Sequence, residues 1–103
     1  MKNSLMWFRY DLRIKDNDAL FEALNNQNCM LVFILDNGYL KLETTSDFHL
    51  NFLKDSLINL NKNLKKKFNT NLNFYKGNTI EILNFLIDKF KISTIYSNKI
   101  FKG

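Results

Sequence analysis

The sequence predicts an α/β fold: a doubly wound, Rossmann-like parallel sheet of four strands in the order 3-2-1-4, with helices on both faces. Three observations predict it. Strand and helix signals alternate as βαβαβαβ along the chain, the order of successive crossover units. Cys29-Met30-Leu31-Val32-Phe33-Ile34-Leu35 is an apolar run without alternation, as in a strand covered on both faces. The helical segments each carry one apolar stripe, the pattern of a helix lying on a sheet. Right-handed crossovers then set the strand order and place the reversal of winding between strands 1 and 4.

Leu5–Phe8 is the first strand, an apolar run with two aromatics,. Arg9 to Lys15 crowds Arg9, Asp11, Arg13 and Lys15 into a loop too polar for a core. Asp16-Asn17-Asp18 then supplies helix caps, and the first helix runs from about Asn17 to Asn26 with Leu20, Ala23 and Leu24 as its buried stripe,. Cys29–Leu35 is the second strand, stopped by the turn chemistry of Asp36-Asn37-Gly38,. A connection follows from Asp36 to Thr45. Ser46 or Asp47 caps a long helix to about Phe68, whose stripe is Leu53, Leu57, Leu60, Leu64 and Phe68, widened by Phe52. That spacing also suits a short coiled-coil seam, but the flanking strands favour packing on a sheet. Asn69-Thr70-Asn71 turns the chain, Leu72–Lys76 is the third strand and Gly77 ends it. Asn78, with Glu81 three residues on, opens the next helix in the manner of a capping box, and Ile82, Leu83, Leu86, Ile87 and Phe90 form its apolar face. Ser93–Ser97 is the fourth strand.

The 103 residues suffice for one small domain, and at 46% hydrophobic they can bury a core,. No apolar run reaches the roughly 18 residues of a membrane span. Met1 to Ser4 leads straight into a strand, so no signal peptide is expected. Cys29 is the sole cysteine, which excludes an internal disulfide and suits a reducing, cytoplasmic setting,. The net charge of +5 is uneven: residues 62–103 hold nine lysines against only Glu81 and Asp88. A basic half of this kind can meet nucleic acid, although lysines on the outer faces of two helices also serve simply as a solvated surface.

The crevice at the strand 1/strand 4 reversal is the expected ligand site. Phe8, Arg9 and the loop Asp11-Leu12-Arg13 line one side, and Ser97, Asn98 and Lys99 the other. Arg9 and Arg13 offer planar donors to an anionic or polar ligand; the competing reading is a structural network in which Asp11 bridges the arginines while Asp16 and Asn17 cap the helix. Asp36, at the end of a strand, suits either a polar ring or a turn. Trp7 and Phe8 point to opposite faces and read as core more readily than as a stacking platform. His49 has no cysteine or acid at metal-ligand spacing, Cys29 reads as a small core residue, and no metal site is expected. No glycine-rich phosphate loop or nucleophile elbow is present.

Trp7-Phe8-Arg9-x-Asp11-Leu12-Arg13-x-x-Asp16-Asn17-x-Ala19-Leu20 resembles the opening signature of the DNA photolyase/cryptochrome family, every specified position being matched. Asp18 stands where many members have proline, and both suit a helix's first turn. The similarity continues through Val32-Phe33-Ile34-Leu35-Asp36, Phe52-Leu53-x-x-Ser56-Leu57-x-x-Leu60-x-x-x-Leu64, the βα unit from Leu72, and Tyr96-Ser97-Asn98. The resemblance implies the family's N-terminal α/β domain, which in many members carries an antenna chromophore of folate or deazaflavin type. It implies Phe8, Arg9, Asp11, Leu12, Arg13, Asp36, Asn98 and Lys99 as chromophore-binding candidates, with no catalytic residue in this chain.

In the family a second, helical domain binds FAD and uses blue or near-UV light to split pyrimidine dimers. By this resemblance, that domain is the missing partner, FAD belongs to it, and DNA is met only by the full-length protein. Phe101-Lys102-Gly103 departs from the Tyr-Glu-Pro that usually follows the strand 4 asparagine, and a fifth strand is expected beyond it, so residues 1–103 look like an incomplete domain with strand 4 as an open edge. Whether the chain is an enzyme is left open. The alternatives are a stand-alone α/β interaction or polyanion-binding module without pigment, using Lys62–Lys67, or a non-functional truncated gene product.

Overall fold

The computed structural model describes residues 3–9, 12–25, 28–40 and 47–98, apart from the side chains of 39, 40 and 47–49. The elements are β1 (Asn3–Phe8), α1 (Asp18–Leu24), β2 (Cys29–Asp36), α2 (Asn37–Leu40), α3 (Asp47–Phe68), β3 (Leu72–Gly77), α4 (Thr79–Phe90) and β4 (Ile92–Tyr96). The strands form one parallel sheet in the order β3-β2-β1-β4, as the alternation of strand and helix signals predicts. One turn of helix, α2, occupies the start of the predicted connection after β2.

The sheet divides the core in two. On one face Met6 and Phe8 of β1 and Leu31 and Phe33 of β2 pack against Leu20 and Ala23 of α1 and Leu53, Leu60 and Leu64 of α3. On the other, Leu5, Val32 and Ile34 pack against Leu86 of α4, with Trp7, Tyr75, Ile82 and Leu83 half-buried around them. Adjacent side chains of a strand point to opposite faces, which is why a strand buried on both sides needs the unbroken apolar run of β2. Phe52 corrects the sequence reading: it is 67% exposed, because the α3 face that meets the sheet is centred on Leu53, Leu60 and Leu64. Phe90 also stays exposed, beyond the part of α4 that covers the sheet.

Helix ends follow local chemistry. The Asn17 side chain accepts from Leu20 N at 3.1 Å and the Asn78 side chain from Glu81 N at 3.0 Å, each satisfying a backbone donor that the helix leaves free. Lys65, Lys66 and Lys67 occupy the last turn of α3, where cations oppose the negative end of the helix dipole. Lys91 ends α4 in the left-handed conformation, φ 53°.

One irregularity decides how β4 is used. Asn3 pairs with Ile92, but Ser4 pairs with Thr94, so Ser93 is an extra residue in β4, a bulge. Asn3 Nδ2 donates to Phe90 O at 2.7 Å and Ser93 Oγ donates to Asn3 O at 3.1 Å, holding it. The bulge inverts the alternation: Ile92 joins the α4 side of the core and Tyr96 the α1/α3 side.

Candidate functional site

The predicted site lies at the carboxyl ends of the strands, and the structure gives each described candidate a definite place. Phe8 is fully buried under α1 and α3. Arg9 leaves the end of β1 with its guanidinium 5.0 Å from the centre of the Trp7 ring, a cation–π contact. Leu12 and Ile14 pack half-buried on the core and anchor the loop. Arg13 is exposed, and its Nη2 donates to Asp16 O at 3.4 Å. Asp16 takes a left-handed conformation, φ 54°, which turns the chain into the Asn17 cap. Asp11 and Lys99 lie outside the described residues, as do Phe101 to Gly103 and the side chain of His49.

Asn98 is half-buried and tied into the protein at the rim of the crevice. Its Nδ2 donates to Asn17 Oδ1 at 2.6 Å and its Oδ1 accepts from Ala19 N at 3.2 Å. Asn17 is fully buried, and its own Nδ2 donates to Arg13 O at 2.8 Å. One asparagine pair therefore ties the segment after β4, the loop after β1 and the start of α1 together across the strand reversal.

Asp36 has an equally specific role at the end of β2. Its Oδ1 accepts from Gly38 N at 2.7 Å, the turn the sequence suggests,. Its Oδ2 accepts from Thr79 N at 3.1 Å and from the Thr79 hydroxyl. This second anchor, a carboxylate set at the positive end of α4, has no sequence signal, because the partners are 43 residues apart.

Two concavities flank these residues. One of about 310 Å³ lies between α1 and β4, lined by Asp18, Ala19, Glu22, Ile95, Tyr96, Ser97 and Asn98; it is polar, with two carboxylates. The larger, about 550 Å³, runs along α3 beside β3 and is mostly apolar; no sequence argument pointed to it. Cys29, at the amino-terminal end of the interior strand β2, is a half-buried free thiol. Burial pushes its pKa above 9.0, with the Ser4 side chain and the Met6 backbone acting the other way. Among the described residues no group of three or more His, Cys, Asp or Glu is placed to hold a metal, and no helix is long and apolar enough to cross a membrane.

The family model for DNA photolyase matches residues 4–102. The chain belongs to the DNA photolyase family. Among its relatives, photolyase and cryptochrome names both occur. It is 34% identical to the chloroplastic/mitochondrial cryptochrome DASH of Arabidopsis thaliana, over 93% of this chain and 18% of that protein. It is 33% identical to the deoxyribodipyrimidine photo-lyase of Buchnera aphidicola subsp. Acyrthosiphon pisum, over 95% and 21% respectively. The archaeal photolyase of Sulfolobus tokodaii, solved with two FAD molecules, superposes with a TM-score of 0.77 and 30% identity, over 97% of this chain and 23% of that one. The chain thus spans 18–23% of the length of these photolyase and cryptochrome relatives, and its sheet order and helices are those of the family's N-terminal α/β domain.

Proposed function

We propose that this chain is the antenna-type domain of a photolyase or cryptochrome-like flavoprotein of the cytoplasm, binding a light-harvesting pigment of folate or deazaflavin type. FAD binding and the light-driven splitting of pyrimidine dimers in DNA belong, in this reading, to a helical domain that the 103 residues do not include. The observation that carries it is the family match over residues 4–102. It is supported by the likeness to the Sulfolobus tokodaii photolyase, whose structure was described as implicating a novel light-harvesting cofactor.

The described residues fit the polar rim of such a pigment. Arg9 and Arg13 stand on the loop after β1, next to half-buried Leu12, and would hold acidic or carbonyl groups through guanidinium donors. Asp11 and Lys99 belong to the same proposed site. Asn98 and Asp36 would act by fixing the loop and strand ends, since their hydrogen bonds tie those segments together. Bound there, the pigment supplies near-UV and blue absorption; the chain binds and orients it.

Purification in dim light followed by absorbance spectroscopy tests this. The expected result is near-UV or blue absorbance that stays with the protein through gel filtration and falls in Arg9→Ala and Arg13→Ala. A protein that neither retains a pigment nor takes up added folate or deazaflavin overturns the reading.

A further inference from the structure

We infer that the apolar groove between α3 and β3 is a docking surface for an acidic amphipathic helix of a partner protein. This proposal is independent of the pigment reading and concerns the edge of the sheet farthest from the β1/β4 reversal.

The groove is built from two elements. Along α3, Leu50, Leu53, Lys54, Leu57, Ile58 and Asn61 form one wall, at the spacing of a single helix stripe. From Leu50 to Asn61 this wall is about 16 Å long, three helical turns. From β3, the alternate residues Leu72, Phe74 and Lys76 form the other side, with Leu35 of β2 between. Phe74 stacks on buried Phe33, centroids 5.9 Å apart and planes at 23°, yet remains 52% exposed, and Ile58 is 57% exposed. On this face α1 lies over β1 and β4, while α3 runs beside β3 and is tied to it by Leu72 N donating to Asn61 Oδ1 at 2.8 Å; among the described residues, no helix covers the exposed ring of Phe74 on the outer side of this groove. Helices in such a layer pack 8–10 Å apart, and the open strip beside α3 is a position of that kind.

Charge selects the occupant. The described lining contains Lys54 on the helix wall and Lys76 on the strand wall, and no carboxylate. Neighbouring Lys62, Lys65 and Lys66 on α3 are also exposed. A second copy of this chain docking by the same patch would set lysine against lysine, because a two-fold interface brings identical surfaces together. A helix with leucines on one face and carboxylates flanking them buries the apolar strip and meets both lysines, the helix-in-groove mode of recognition.

The test uses a fluorescein-labelled peptide of about 18 residues, long enough to hold a helix, with leucines at i, i+3, i+4 and i+7 spacing and glutamates elsewhere, and a twin carrying lysines for the glutamates. Fluorescence anisotropy on the 103-residue protein is expected to show saturable binding of the glutamate peptide about tenfold tighter than its twin, consistent with two rim ion pairs. The double variant Lys54→Glu/Lys76→Glu should reverse that preference, and Ile58→Ser, an exposed substitution, should abolish binding while leaving the far-UV circular dichroism unchanged. Equal binding of the two peptides, or an unchanged preference in the charge-swapped variant, overturns the proposal. So does sedimentation showing a dimer that Ile58→Ser dissolves, which would make the groove a self-interface. So does binding of a small apolar dye lost in Ile58→Ser with no binding of either peptide, which would make it a small-molecule pocket.

Discussion

The asparagine pair at the strand reversal offers the sharpest test of how this edge is held. Replacing Asn17 with alanine removes the α1 cap, worth about 1 kcal/mol. It also removes the bonds to Asn98 and to Arg13 O, at about 1 kcal/mol each. The total is about 3 kcal/mol in a domain whose whole stability is of the order of 5–15 kcal/mol. With a urea dependence of roughly 1.5 kcal/mol per molar, the midpoint should fall by about 2 M. Asn98→Ala loses the bond to Asn17 and the one from Ala19 N, about 2 kcal/mol. The Asn17–Asn98 bond is common to both, so the double variant should lose about 4 kcal/mol, which leaves a coupling of about 1 kcal/mol. Urea denaturation followed by circular dichroism measures all three, with exposed Asn63→Ala as the control. If Asn17→Ala costs no more than Asn63→Ala, or if the pair is strictly additive, the network does not hold the edge.

The remaining predictions probe other parts of the fold. Asp36→Ala severs β2 from the start of α4 and should destabilise the protein by about 2 kcal/mol, as hydrogen bonds to a charged group do; chemical denaturation reads this, and no loss means the carboxylate is not a structural anchor. Gly77 sits at φ 149°, where an added Cβ would also stand 3.2 Å from Ile82 Cδ1, so Gly77→Ala should cost about 1–3 kcal/mol. Lys91→Gly has the opposite sign, relieving a left-handed helix end by about 1 kcal/mol; the melting temperature distinguishes the two. Cys29 has its folded pKa raised above 9.0. Its contribution is therefore complete below 9.0 and is lost as pH climbs through the folded value, because the unfolded thiol ionises first. Alkylation by iodoacetamide at pH 9 should be slower in the folded protein than in urea, and Cys29→Ser should flatten the stability profile above pH 9; equal alkylation rates would contradict the burial.

The sequence by itself determined the element order, the doubly covered β2 run, the Asn17 and Asn78 caps and the family signature from Trp7 to Leu20. Each depends on residues within a few positions of one another, where periodicity and capping chemistry act directly. It also placed Arg9, Arg13, Asp36 and Asn98 at the carboxyl edge, because strand order follows from crossover handedness. Tertiary structure alone decided what those residues do there. Asn98 meets Asn17 across 81 residues and Asp36 meets Thr79 across 43, separations over which no local pattern carries information. The bulge at Ser93, which reverses the faces of β4, is set by hydrogen bonds to Asn3 at the other end of the chain. The outward turn of Phe52 and the groove beside β3 have the same origin: the rotation of α3 on the sheet is fixed by which apolar side chains reach the core, and an amphipathic stripe only brackets that choice.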